Sequence, residues 1–381
     1  MRGGKIIPTY DVIIVGGGPI GSIAGSLVAR EGFRVMIIEK QTHPRWKPCG
    51  ECISMRGIEL LKQFDLFEPI QNILWEISGV SINMLQENIA TKRHDKPVAY
   101  TLDRADFDHK LFKYAQELGA ETHESEKVID VTILNENEIS VKTTQKNYKS
   151  KVIIGADGVY SIVGRKLFRQ WKRNEIAPCQ VSRYKIPKKH QSFHPATMEY
   201  HFLKGGYGWV FPRVQNDQLI LNIGMGKTGE MRSSPDTSFN NFIKSLETEK
   251  KVKLKGREID SKIWSHPIPT EGPSRGTYSD CCLLVGDAGG FVNPLTGGGL
   301  RYGALSAVHA AETTTQFLDN KIDTLASYKD KWSEDIKHIF NDALKSREAL
   351  YFSDPTHLLT CMNAQPNLKK DLFKAFLIGT A

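Results

Sequence analysis

The sequence predicts an α/β fold: a Rossmann-like nucleotide domain, an inserted antiparallel β-sheet domain and a C-terminal helical segment. Three observations predict it. Residues 10–39 run strand, glycine turn, helix and second strand ending in an acid. Two later apolar runs, Lys151-Val-Ile-Ile and Cys281-Cys-Leu-Leu-Val285, read as short buried strands leading into Asp157-Gly158 and Gly286-Asp287. Between them, residues 179–270 change to short alternating hydrophobic runs with turns at Gly205-Gly206 and Asn216-Asp217, the pattern of an antiparallel sheet. The expected division gives residues 1–76, 98–175 and 275–320 to the nucleotide domain. It gives 77–97 and 176–274 to the sheet domain and 321–381 to the helical region.

The first unit carries the strongest signal. In Gly16-Gly-Gly-Pro-Ile-Gly21, Gly16 allows the tight turn, Gly18 lets the backbone approach a pyrophosphate, and Gly21 lets helix and strand pack closely. N–H groups at the helix start, with the helix dipole, then hold the phosphates. Glu39 lies 18 residues after Gly21, where a carboxylate accepts hydrogen bonds from ribose hydroxyls. That suits FAD or NAD better than a 2′-phosphate.

The later elements follow in order. Residues 55–67 read as a helix and 77–101 as strands with polar interruptions. Arg104-Ala-Asp-Phe-Asp108 opens an amphipathic helix through Leu111, Phe112, Ala115 and Leu118, stopped by Gly119. Residues 127–145 alternate as strands around a turn at Asn135-Glu-Asn137. A long helix is expected after Pro294. From about residue 321 the chain is helical, with Trp332, Ile336, Ile339, Phe340 and Leu344 on one face.

Composition narrows the class. The 381 residues are 40% hydrophobic and 25% charged, an ordinary globular balance. Residues 12–29 carry no charge, yet Pro19 and the glycine cluster favour strand–turn–helix over a membrane span. No charged-then-apolar leader is read before Tyr10, so a cytoplasmic location is expected. The net charge of +8 is spread out, clusters such as Lys250-Lys251 and Lys369-Lys370 read as solvated faces, and no nucleic-acid module is read. The six cysteines form no disulfide pattern. Cys49-x-x-Cys52 has no matching pair to complete a zinc site, so no metal is expected.

Four signals stand in order: the glycine turn with Glu39, Arg104, Asp157-Gly158, and Gly286-Asp287. Together they resemble the FAD-binding fold of the flavoprotein hydroxylase and geranylgeranyl reductase superfamily, over roughly residues 8–320. Lys47-Pro-Cys-Gly50, Tyr207-Gly-Trp-Val-Phe-Pro212 and the run Gly286 to Gly299 choose within it. They look like the geranylgeranyl reductase family, which uses FAD to saturate isoprenoid double bonds. Lys204 and Cys52 stand where that family has proline and glycine, and Gly224 and Gly226 come a few residues late.

The resemblance implies roles. Glu39, followed by Lys40, would hold the adenosine ribose, and Arg104 would sit near the pyrophosphate. Asp287, after Gly286, would bind the ribitol or pyrophosphate, with Asp157-Gly158 supporting that region. Gly298 and Gly299, at a helix start, would face the flavin pyrimidine. Cys49 and Gly50 would lie beside the flavin ring, and Pro19 belongs to the phosphate turn. Tyr207, Trp209 and Phe211 alternate on one strand face and are the expected substrate wall. Cys49, Tyr207 and Trp209 are the expected catalytic residues.

Saturating an isolated alkene needs a hydride on one carbon and a proton on the other. Positive charge builds on the tertiary carbon, and aromatic faces stabilise a cation by roughly 0.5–2 kcal/mol each. The expected substrate is a polyprenyl lipid or diphosphate, with NAD(P)H or reduced ferredoxin as electron donor. The amphipathic end, Leu368, Leu372, Phe373 and Phe376 with Lys369, Lys370 and Lys374, allows peripheral docking on the inner membrane face. Equally, it reads as a tail packed on the domain. The rival readings are an FAD-dependent monooxygenase of an aromatic or quinone, and a non-catalytic flavin- or lipid-binding protein.

Overall fold

The computed structural model describes residues 7–188, 192–228, 235–365, 367–368, 370–372 and 376. The nucleotide half is built on parallel strands. Thr9–Val15 lies between Asn147–Gly155 and Val35–Ile38, with Cys282–Leu284 and Glu121–His123 outside them. Their apolar runs are buried on both faces, as parallel strands require. Helices Pro19–Arg30, Arg104–Glu117 and Leu300–Leu318 cover one face, against Val12, Ile14, Ile37 and Val152. Ile13, Met36 and Ile153 point to the other face, where they pack with Val131 and Val141 of the hairpin Val128–Asn135/Glu138–Thr143.

Register decides where the site falls. Val15 pairs with Ile38 and with Gly155, and Gly155 pairs with Leu284. The strands therefore end level. Gly16, Glu39, Ala156-Asp157 and Gly286-Asp287 leave the sheet along one edge, the carboxyl edge where such sheets bind ligands.

The second sheet has seven strands in the order Trp264–Pro269, Ile176–Pro187, Gln218–Lys227, Gly206–Gln215, Thr197–Leu203, Gly79–Met84 and Glu87–Arg93. The expected antiparallel arrangement holds except at one join, where Thr197–Leu203 runs parallel to Gly79–Met84. Residues 179–270 are also not sheet throughout. Helix Pro235–Lys250 lies inside that span and puts Phe239, Phe242, Ile243 and Leu246 on the sheet's outer face. Lys250, expected in solvent, instead pairs with Glu199 at 2.9 Å.

Helices Ser327–Phe352 and Pro355–Ala364 follow. Trp332, Ile336 and Phe340 are buried, while Ile339 and Leu344 are half-buried. Leu372 and Phe376 are buried against the aromatic face of the second sheet, with the Phe376 ring 4.9 Å from Tyr200. The described apolar residues of the chain end thus favour the packed tail over the docking face. Phe373, Lys369 and Lys374 lie outside the described residues. Among the described residues no helix is long and apolar enough to cross a membrane.

Candidate active site

At the carboxyl edge the chain makes a tight turn at Gly16. Gly16 has φ +106°, and a Cβ there would stand 2.5 Å from the Ala156 carbonyl oxygen. A Cβ on Gly21 would stand 1.9 Å from the Gly16 oxygen, so only glycine lets helix Pro19–Arg30 start this close to its strand. Gly18 differs: a Cβ there would meet only the Arg45 guanidinium, at 3.6 Å, so its side is open. Glu39 accepts from the Gly17 N–H at 2.9 Å and from the Gln41 N–H at 3.0 Å, and Arg45 reaches the same carboxylate at 3.3 Å.

This edge opens into one cavity of about 940 Å³. The wall runs from Gly16, Gly18, Pro19, Glu39 and Lys40 past Cys49, Gly50, Arg104, Asp157, Gly158, Gly286, Asp287, Gly298 and Gly299. It ends in an apolar box of Tyr200, Tyr207, Trp209 and Phe211 with Met198 and Phe376. The structure brings every residue expected for cofactor or substrate to this wall except Gly21, which packs the turn behind it.

Their surroundings refine the expected roles. Arg104 is buried and gives Nε and Nη2 to the two Asp108 oxygens at 2.7 and 2.8 Å. Burial alone would lower its pKa. Asp108 and the Cys49 thiol outweigh this and hold it above the ordinary value. The arginine over the glycine turn is Arg45, which also reaches Asp108 at 3.0 Å and which the sequence reading missed. Its signal was faint: one basic residue in a loop, six positions after Glu39. Asp157 turns its carboxylate to the Ile162 N–H at 2.6 Å, ahead of helix Ile162–Leu167, and burial raises its pKa.

Around the middle of the cavity, Lys47 meets Asp287 at 3.3 Å. Burial opposes ionisation of Asp287, but Lys47 and then His266 hold its pKa below the usual carboxylate range. His266, also missed, lines the same wall. Its Nδ1 is 2.7 Å from the Pro267 carbonyl, so Nδ1 carries the proton and Nε2 keeps its lone pair. Burial first, then the Lys47 charge, push its pKa down to about 4. The imidazole is therefore neutral at pH 7.

The Cys49 loop is held from several sides. Cys49 Sγ accepts from the Glu51 N–H at 3.4 Å. Glu51 is buried in left-handed backbone, φ 56°, and accepts from Trp46 Nε1 at 2.7 Å. Asp103 caps helix Arg104–Glu117 through the Ala105 N–H and receives Arg213 and Arg183 on its other oxygen. Burial pushes the Cys52 and Cys179 thiols up to about 12. All six cysteines are free, and among the described residues no group of three or more His, Cys, Asp or Glu is placed to hold a metal.

The aromatic strand is fitted to glycines on its neighbour. Tyr207 pairs with Gly226 and Trp209 with Gly224. A Cβ on Gly224 would stand 2.1 Å from Trp209 Cζ2, so glycine lets the indole lie flat on the sheet. The Tyr207 hydroxyl donates to the Thr296 carbonyl beside Gly297. Burial raises its pKa, so Tyr207 presents a ring to the cavity and keeps its proton on Thr296.

The residues fit FAD. Two helix starts, at Pro19 and at Leu300, face one cavity, and Gly18 and Gly299 leave them uncovered by side chains. Carboxylates at Glu39 and Asp287 stand on the same wall to take hydroxyls. Fold and cavity define a flavoprotein oxidoreductase. The chain belongs to the FAD binding domain family, whose model matches residues 9–341. Within it the chain falls with FAD-dependent oxidoreductases of the geranylgeranyl reductase type. It is 29% identical over 380 residues to digeranylgeranylglycerophospholipid reductase 1 of Methanopyrus kandleri, covering 95% of this chain and 96% of that protein. It is 30% identical over 394 residues to digeranylgeranylglycerophospholipid reductase 2 of Methanococcoides burtonii, covering 96% and 93%. The crystal structure of a geranylgeranyl bacteriochlorophyll reductase-like protein from Thermoplasma acidophilum shares the fold, with TM-score 0.81 and 24% identity over 93% of this chain and 91% of that one.

Proposed function

We propose that this enzyme saturates C=C bonds of polyprenyl chains, with a geranylgeranyl group of a diphosphate or an ether lipid as substrate. The observation that carries this reading is the continuity of the cavity, whose dinucleotide end runs on into the aromatic box. An isoprenoid chain needs such an apolar slot beside the reducing group. The names of the two methanogen relatives support the lipid form of the substrate.

Bound FAD would supply the hydride. Glu39, Asp287 and the two uncovered helix starts would hold it, with Arg45 and Lys47 on the same wall paired to Glu39 and Asp287. Tyr207, Trp209 and Phe211 present ring faces to the alkene, where each stabilises developing positive charge by roughly 0.5–2 kcal/mol. The rings of Tyr200, Tyr207 and Phe376 pack on one another and make this end of the cavity apolar. Cys49, on the wall between the two ends, holds or relays the proton at Sγ. Electrons come from NAD(P)H bound in passing or from reduced ferredoxin. The enzyme works in the cytoplasm and meets its lipid at the inner membrane face, where the net charge of +8 suits an anionic surface.

The deciding experiment incubates reduced holoenzyme without oxygen with geranylgeranyl diphosphate or a geranylgeranyl ether lipid. Mass spectrometry of the extract should show two hydrogens gained per double bond, with the flavin reoxidised in step. Oxygen-dependent hydroxylation of an aromatic or quinone would instead make the protein a monooxygenase. A flavin that no polyprenyl compound reoxidises would leave only a binding role.

A further inference from the structure

Asn222 ties the Cys49 loop directly to the Trp209 indole. Asn222 is 2% exposed and stands on strand Gln218–Lys227 opposite Phe211. Its Nδ2 donates to the Cys49 carbonyl at 2.8 Å, and its Oδ1 accepts from Trp209 Nε1 at 2.8 Å. An indole N–H only donates and a carbonyl only accepts, so the amide has one orientation here. Loop and wall also pack closely: a Cβ on Gly50 would stand 3.2 Å from Phe211 Cε2 and 3.5 Å from Trp209 Nε1. Loop and indole meet through this amide.

We propose that Asn222 is a positioning residue for the reduction, setting the separation between the Cys49 loop and the Trp209 indole. The flavin face and the alkene wall then meet at one distance. The inference rests on the polyprenyl reductase reading. Hydride transfer needs reacting atoms roughly 3–3.5 Å apart, and a drift of about 1 Å slows such a step on the order of 100-fold. Asp at 222 has almost the same shape. It still accepts from Trp209 but has no N–H for Cys49, and it sets two oxygen acceptors against each other.

The test compares wild-type and Asn222→Asp holoenzyme in FAD content, melting temperature, kcat, KM and flavin midpoint potential, the last measured without substrate. With FAD still bound, kcat should fall on the order of 100-fold while KM changes little. The midpoint should move to lower potential, because added negative charge near the ring disfavours the reduced flavin. A general loss of packing would lower the melting temperature without that pattern. Wild-type kcat and midpoint in Asn222→Asp overturn the proposal. Should Asn222→Asp lose FAD, Asn222→Ser carries the test, since it shortens the link to both Cys49 and Trp209 and leaves the indole of the wall in place. It must lower kcat with FAD retained, and an unchanged kcat overturns the proposal. In Asn222→Asp combined with Trp209→Phe the loss in kcat must be smaller than the product of the two single losses, because the two side chains share one hydrogen bond. If the wild type reduces no polyprenyl substrate, the reductase reading fails. The midpoint still tests Asn222, and an unshifted value overturns its role.

Discussion

Arg213 donates to the Glu51 carboxylate at 2.6 Å, and the two side chains are 10% and 1% exposed. Arg213 directly follows the aromatic strand's Phe211-Pro212, and Glu51 directly follows Cys49-Gly50. One buried ion pair thus joins the two segments that meet at the active cavity. Its second nitrogen reaches Asp103 at 2.6 Å.

Removing one partner of a buried pair leaves the other charge uncompensated. Arg213→Met should lower the unfolding free energy by about 3–5 kcal/mol, read by urea denaturation of the holoenzyme. A loss under about 1 kcal/mol, the size of an exposed pair, would mean that the contact is not sealed from water.

Gly224→Ala puts a methyl group where the Trp209 indole lies. The indole must tilt into the cavity or the strand must move, and overpacking of this kind costs about 1–3 kcal/mol. Turnover should fall more than stability, because Trp209 is part of the proposed substrate wall. Parallel measurements of kcat/KM and melting temperature separate the two; unchanged kcat/KM would remove the indole from that wall.

Glu39→Ala should weaken FAD binding. Hydrogen bonds to a charged group contribute roughly 1.5–3 kcal/mol, so the dissociation constant should rise about 10- to 100-fold. Flavin fluorescence during titration of the apoprotein reports it. A constant equal to wild type would show that Glu39 serves only its contacts with Gly17, Gln41 and Arg45.

His266 predicts how acid acts on the fold. Its folded pKa of about 4 lies below the ordinary 6.5. The unfolded chain takes up a proton below 6.5, and the folded chain does so only near 4. The stability linked to His266 is therefore full above pH 6.5 and is lost progressively as pH falls toward 4. Melting temperatures at pH 7 and pH 5 should differ less in His266→Gln than in wild type. An equal difference in both proteins would rule out this linkage.

Cys49→Ala should retain FAD and lose turnover roughly 100-fold or more, the usual weight of a positioned proton carrier. Full turnover with flavin bound would take Cys49 out of the proton path. The variant should then still show wild-type substrate affinity.

The nucleotide half is legible in sequence because its signals are local. The glycine turn, its helix and Glu39 lie within 30 residues, and their periodicity changes where the elements change. Helix Pro235–Lys250 escaped because its apolar residues sit inside a long alternating stretch, where sheet texture on both sides hides a helical spacing. The parallel join of 79–84 to 197–203 escaped because strand pairing across that gap leaves no local mark. Arg45 and His266 are single residues whose meaning comes from Glu39 and Lys47 arriving beside them. The tail shows the opposite limit. An apolar stripe at Leu372 and Phe376 reads the same whether it covers a sheet or a membrane, and only burial decides.

Asp103 caps the helix that begins at Arg104 while it holds Arg213 and Arg183 of the second sheet. Helix start and sheet docking are one event, so neither half keeps its native ends after the other melts. Calorimetry should show a single endotherm in which both halves melt together. The sheet insert is also not a portable cassette. A graft from a relative would have to bring partners matched to Glu51 and Asp103, or it would leave the buried Glu51 and the half-buried Asp103 without their arginines.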